Sequence, residues 1–190
     1  MTSDSVKDLT RLKVCDTMGV MNIFVTEINP IDASKSLCDK HVPKMIVEST
    51  QMLVSALRRH GAGDDDVPLT KSGTPHKGGY KNHPATVWTG DSRANAQWLE
   101  QHAYGLCDEF TLRFNKDHAC FEQLLVVSEQ LWRIPDTPMT DVALCVGEEL
   151  QRGRTHAPIG DAVDVYREFY RIDKAEFAKW DKGTDAPEWW

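Results

Sequence analysis

The chain has 190 residues, 41% of them hydrophobic and 27% charged, and a formal net charge of −7. That is enough for one globular domain with a real core, and the acidic balance excludes a protein that coats nucleic acid through bulk charge. No apolar run approaches the ~18 residues needed to span a membrane, and five scattered cysteines (15, 38, 107, 120, 145) without a CxxC argue for free thiols in a cytoplasm, against a disulfide scaffold or zinc cage.

The first twenty residues lack an apolar h-region and so are no signal peptide. Residues 1–20 are expected to be a flexible arm or an upstream extension, Met18 and Met21 both being plausible starts. MNIFVTEI (21–28) is β-branched and apolar enough for a short strand. NPIDAS then turns the chain, with Asp32 or Ser34 as N-cap. A long helix runs to about Arg59, and Pro43 marks either a kink or the true start. GAGDDDVPLTKSGTPHKGG (61–79) is a long Gly/Pro/Asp-rich loop, of the length expected for a lid, a binding loop or a mobile tip. YKNHPATVW leads to a second long helix, capped by Asp91 or Ser92 and ending near Asn115. A further helix follows from about His118 to Trp132, and IPDTPM breaks the chain. Residues 141–160 are weakly patterned, with a helical turn near ALCVGEELQ, and Asp161 caps a last helix, AVDVYREFYRIDKAEFAKW. The expected fold is mainly α: a single compact helical domain over 21–190, with a short N-terminal strand and the long loop.

The first long helix carries an unusual stripe. His41, Lys44, Glu48, Gln51 and Ser55 stay within roughly an 80° arc at about 100° per residue. Cys38, Val42, Met45, Met52 and Leu53 flank it on one side, Pro43, Val47 and Val54 on the other, whereas an ordinary amphipathic helix has one apolar and one polar face. The second long helix repeats the pattern with Asn95, Trp98, His102, Glu109, Arg113 and Lys116 in roughly a 60° arc. If the helices are neighbours, the two stripes line one cleft. The competing reading is ordinary solvated surface stabilised by charge pairs, with the histidines as satisfied structural residues.

Between the stripes, Lys71, Lys77, Lys81 and Arg93 face the single acidic Asp91, with His76 and His83 added. In Lys81-Asn82-His83-Pro84, the proline holds His83 extended. Asn82 and His83 thereby offer donors at a helix entrance, and Trp88 offers a stacking surface or, alternatively, core. There is no HExxH, Walker loop, GxGxxG or GxSxG, so no metal or cofactor is expected.

At these residues the sequence becomes familiar. MNIFVTEINP, LCDKHVPKMIVESTQML, YKNHPATVW, SRANAQWLEQHAYGLCDEFTLRFNKDH, VYREFYRIDKAEFAKW and PEWW resemble a family of small uncharacterised proteins of tailed bacteriophages. The chain is also distantly similar to the pyrimidine-dimer DNA glycosylases of the endonuclease V type, small all-α proteins with a His seven residues before a catalytic Glu. His41 and Glu48 match that spacing, and Asn82-His83-Pro84 is similar to a turn in a bacterial branch. The resemblance implies attack of an N-terminal α-amine on the sugar C1′ through a Schiff base, with the Glu assisting proton transfer. Two features depart from it. Phosphate-holding arginines of the family fall on Val47 and Gln51, and twenty residues precede MNIF; Lys44, one turn from Glu48, is the alternative amine.

The sequence thus points to a phage-derived enzyme in the cytoplasm of a bacterial host, cleaving an N-glycosidic bond in DNA or a nucleotide. Glu48 is the expected general acid/base, with His41 and Lys44 beside it. Lys81, Asn82, His83, Arg93, Asn95, His102 and Arg113 are expected on phosphate or nucleic acid, and Trp88 or Trp98 on a base. The alternative is a non-catalytic nucleotide- or partner-binding accessory protein using the same cleft. A third reading docks a protein partner on the aromatic C-terminal helix (Tyr166, Phe169, Tyr170, Phe177, Trp180); packing of those rings on the domain's own core is preferred.

Overall fold

The computed structural model describes residues 21–190; the arm expected at 1–20 lies outside the described residues. Helix α1 (Pro30–Ser36) starts with proline at its first position and is capped by Asn29, whose side chain accepts the Ile31 and Asp32 amides at 2.9 and 3.2 Å. The cap is therefore neither Asp32 nor Ser34: Pro30 already supplies the helical φ, so the cap falls one residue before it. After a short break comes α2 (His41–Arg59). Pro43 sits in its first turn, where a backbone N–H has no intrahelical partner to lose. The proline marks the true start.

Helix α3 (Pro84–Asp91) forms directly after the NHP turn, with His83 as N-cap and Pro84 at the first position. Helix α4 (Arg93–Phe114) follows at once, capped by Ser92 and closed by Asn115 in the left-handed conformation (φ 53°). Helix α5 (Phe121–Ser128) is shorter than expected. The only sheet among the described residues pairs β1 (Val142–Ala143) antiparallel with β2 (His156–Ala157), around a short α6 (Glu148–Gln151). Helix α7 (Ile159–Asp173) is the last.

Helix α4 is the central element and packs on α1, α2 and α3. Val42, Met45, Met52 and Leu53 of α2 are fully buried, as are Leu99, Ala103 and Leu106 of α4. Helices α1 and α4 approach so closely at Gly105 that a Cβ there would lie 2.3 Å from Ser34 Oγ, which only glycine permits. Tyr166, Phe169 and Tyr170 of α7 are buried, and Phe177, Trp180 and Trp189 pack against the same core. The aromatic C-terminal rings thus belong to the domain's interior. No described helix is long and apolar enough to cross a membrane.

The expected strand at 21–28 is not one. Residues 21–26 are all buried but enter no ladder, and Phe24 is left-handed (φ 55°). A strand with one buried face alternates; this segment is enclosed on every side. Asn22 holds it instead: its Oδ1 accepts the Ile23 amide at 2.8 Å and its Nδ2 donates to Cys145 O at 2.8 Å.

Candidate active site

The α2 stripe meets different surroundings along its length. Glu48 lies in the middle, its side chain 13% exposed. Oε1 pairs with Lys44 Nζ at 3.2 Å, and Oε2 accepts the backbone N–H of Asn22 at 3.1 Å. Burial pushes the Glu48 carboxyl above the ordinary carboxylate range, against the opposing pull of Lys44 and the Asn22 amide. A carboxyl group whose pKa is raised by burial, next to an amine, has the makings of a proton donor and acceptor.

His41, two helical turns earlier, does not touch Glu48. Its ring is stacked on Phe24 at 4.6 Å, and its Nδ1 shares a 2.7 Å hydrogen bond with Tyr170 Oη. Burial, helped by the positive field of Lys174, Lys44 and Lys40, lowers it to about 3. It is a neutral core histidine that fixes Phe24, and Phe24 belongs to the segment that delivers the Asn22 amide to Glu48.

The second stripe is not part of this site. His102 is fully exposure-free, stacked on Trp98 at 5.2 Å, and lowered by burial to about 3. Arg113 is buried: its guanidinium reaches Glu109 at 2.7 Å, Asp39 at 3.1 Å, and the Leu37 and Lys35 carbonyls at 2.8 and 3.0 Å. Thr184 completes the cluster by donating to Glu109 at 2.8 Å. This is an internal tie between α4, the end of α1 and the C-terminal segment. Asn95 is buried and donates to Trp88 O and Thr140 Oγ1. Arg93 binds the Trp132 and Ile134 carbonyls and Asp136. Trp88 and Trp98 are buried, with indole N–H groups on Thr140 O and Ile28 O. The single-cleft arrangement fails because α4 turns most of its polar arc into the fold, where Glu109 and Arg113 find internal partners, while Lys116, past the end of α4, is exposed.

The NHP turn and the loop do lie beside α2. His83 Nδ1 accepts the Ala85 amide at 3.3 Å. Lys81 and Asn82 line a groove of about 480 Å³ with Ser55, Arg58, Arg59, Lys77, Thr86 and Val87. The loop is pinned to α2: Ser55 Oγ exchanges hydrogen bonds with the Gly79 amide (2.8 Å) and carbonyl (2.9 Å), and Arg58 donates to His76 O. The residue types gave no sign of Asn22, because its contribution to Glu48 is a backbone amide. Lys77 was legible only as one cation of a basic loop, and nothing in the sequence singled out Arg58 and Arg59 for the groove. No group of three or more His, Cys, Asp or Glu among the described residues is gathered to hold a metal ion.

The domain is mainly helical and holds the Glu48 carboxyl, raised by burial, between an amine and a backbone nitrogen. The sequence model of the pyrimidine dimer DNA glycosylase family matches residues 21–122, just over half of the chain, and the protein belongs to that family. The matched stretch carries Asn22, His41, Lys44, Glu48, the loop and α4, and stops at the start of α5. Neither a curated protein nor a solved structure matches the chain.

Proposed function

We propose that the protein cleaves the N-glycosidic bond of a damaged or modified nucleotide in DNA, with Glu48 as general acid/base. The observation that carries this reading is the carboxyl of Glu48, raised by burial yet held between Lys44 Nζ and the Asn22 nitrogen. As an acid it gives its proton to the departing base; as a carboxylate it takes one from the group that attacks C1′. Family membership supports DNA as substrate, and the likeness to small phage proteins supports action in a bacterial host's cytoplasm.

The attacking group is water or an amine. Asn22 N is an amide in the 190-residue chain, its lone pair delocalised into the preceding carbonyl, so it is no nucleophile there. Lys44 Nζ is an amine at 3.2 Å from the carboxylate. In a chain whose first residue is Asn22, the atom now 3.1 Å from Glu48 becomes an α-amine, with an ordinary pKa of about 8. Attack by either amine in its neutral form makes the N–C1′ bond as the bond to the base breaks, the base leaving with the proton from Glu48. The C1′–O4′ bond of the sugar then opens, O4′ taking a proton, to give an iminium that borohydride reduces. The non-catalytic reading, a nucleotide binder, is favoured only by the amide character of Asn22.

The test is base release from ultraviolet-irradiated, uracil-containing and hypermodified duplexes, with and without borohydride. Glu48→Gln is expected to lower release by roughly a hundredfold or more. A trapped adduct lost in Lys44→Gln assigns Lys44; one that needs a chain beginning at Asn22 assigns the α-amine; release without an adduct assigns water. DNA or nucleotide binding with no released base from any substrate makes the protein a binder.

A further inference from the structure

The groove at the far end of the α2 stripe is separate from the carboxylate and has its own chemistry. Its walls are built by two arginines already engaged: Arg58 with Asp64 and His76 O, Arg59 with Asp91 and Val87 O. Lys77 and Lys81 are exposed on its rim, and neither forms an ion pair among the described residues. On a chain of net charge −7, two uncompensated lysines in a concave site define an anion-binding surface.

Tyr80 stands beside them. Its side chain is conspicuously outside the core, at 59% exposure, and its backbone is left-handed at φ 49°, a conformation uncommon outside glycine. The preceding Gly79 seats it over α2: a Cβ at Gly79 would lie 3.3 Å from the Gln51 side chain. The ring is thus exposed next in sequence to Lys81, on a left-handed backbone whose neighbour Gly79 is pinned to Ser55 of α2. Glu48 and Ser55 are separated by about 10 Å along the helix, the length of three base steps of a stacked strand at about 3.4 Å each.

We infer that this groove is a strand-binding subsite: Lys77 and Lys81 hold consecutive phosphates next to the nucleotide at Glu48, and the Tyr80 ring stacks on an unpaired base. The inference rests on the reading of DNA as substrate, but not on turnover. A row of phosphates flanked by an exposed aromatic ring is the chemistry of a polynucleotide; a lone nucleotide would satisfy only one of the lysines.

The experiment is fluorescence anisotropy of a labelled 21-mer duplex containing a damaged or abasic site, between 50 and 200 mM salt. The double variant Lys77→Gln/Lys81→Gln is expected to flatten the plot of log affinity against log salt by about 1.8, from about 0.9 for each lost phosphate contact. Lys77→Arg/Lys81→Arg should restore the slope. Tyr80→Ala should weaken binding by roughly tenfold or more and Tyr80→Phe should not. A deoxynucleoside monophosphate at millimolar concentration should fail to displace the duplex. No binding by the parent protein, an unchanged slope in the double variant, or displacement by the mononucleotide overturns the subsite. Base release by the parent protein, measured beside the binding, separates the two readings. If the slope changes as stated but no base is ever released, the subsite stands and the glycosylase reading falls; released base with an unchanged slope has the opposite meaning.

Discussion

Acid should unfold this protein through two histidines that its core keeps neutral. His41 is 4% exposed and His102 not at all, and burial holds each at about 3 against an ordinary value of 6.5. Their folded values are depressed, so between those limits the unfolded chain binds more protons than the native one, and stability falls as pH drops through 6.5. One pKa unit corresponds to about 1.36 kcal/mol. Going from pH 7 to pH 5, protonation of the unfolded chain at one such histidine is worth about 2 kcal/mol, and about 4 kcal/mol for the pair. That is a large part of a typical ~5–15 kcal/mol stability. His76, His83 and His118, also lowered by burial, act in the same direction. The raised carboxyls of Glu48 and Glu100 oppose it as the pH nears the carboxylate range. His102→Leu isolates one contribution. Neither ring nitrogen of His102 has a hydrogen-bond partner among the described residues, so an apolar replacement sacrifices none, whereas replacing His41 would also break the bond to Tyr170. Urea unfolding of parent and variant at pH 7 and pH 5 is the assay. The loss of stability between the two should be smaller by about 2 kcal/mol in the variant. A His102→Leu protein whose pH dependence matches the parent within ~0.5 kcal/mol would show that the imidazole ionises inside the fold, and the reasoning would fail.

Glu48→Gln should leave the melting temperature at pH 7 unchanged or higher. A raised carboxyl pKa means that ionisation costs stability, lost as pH rises through the ordinary carboxylate range toward the folded value, and the amide removes that cost. A fall of more than ~5 °C, about 2 kcal/mol for a chain of this length, would show that the ion pair with Lys44 outweighs the burial. Arg113→Met should cost about 3–5 kcal/mol in urea unfolding, since it leaves the carboxylates of Glu109 and Asp39 buried without their counter-charge; a loss below ~1 kcal/mol would mean that the cluster is solvated. Gly78→Ala should lift the loop, because Gly78 has φ +75° and a Cβ there would lie 2.2 Å from Ser55 Oγ. Hydrogen exchange at the Gly79 amide, which is bonded to that hydroxyl, should accelerate strongly while amides in α4 keep their protection.

The helices were legible because their signals are local. Ser92 and Asn115 bracket α4 as N-cap and left-handed C-cap, and Pro43 marks where α2 begins. What misled was local composition without a partner. MNIFVTEI has strand-forming residues, but a strand needs a neighbour to bond with, and here the segment is enclosed by helices. Helix α3 was missed because YKNHPATVW contains turn residues, although Pro at the first helical position is a start signal. Within the site, the seven-residue spacing of His41 and Glu48 places both in one arc of α2. Periodicity fixes which residues share an arc, not what covers it. That is why the α4 arc, with the same residue types, proved to be an internal ion cluster and a buried imidazole.

The polar stripe of α2 lies between two apolar flanks because other segments are laid along it. Its first turn is covered by Phe24 and Tyr170, its middle by Asn22, and its later turns by Gly78 and Gly79. Each cover sets the chemistry of the residue beneath: His41 is neutral in the core, Glu48 is half-buried and raised, and Ser55 becomes a hydrogen-bond anchor for the loop. The acidity of Glu48 is therefore not a property of α2. Residues 21–26 are buried and bring the Asn22 nitrogen to 3.1 Å from the carboxylate, and His41 stacks on Phe24 of the same segment. A change that loosens Phe24 should lower the Glu48 pKa by readmitting water and shift the pH profile of base release toward acid, without altering any group that touches the substrate. Phe24→Ala, read by the alkaline limb of that profile beside parent protein, separates a covered carboxyl group from one that is simply part of a helix-surface ion pair, for which the limb would not move.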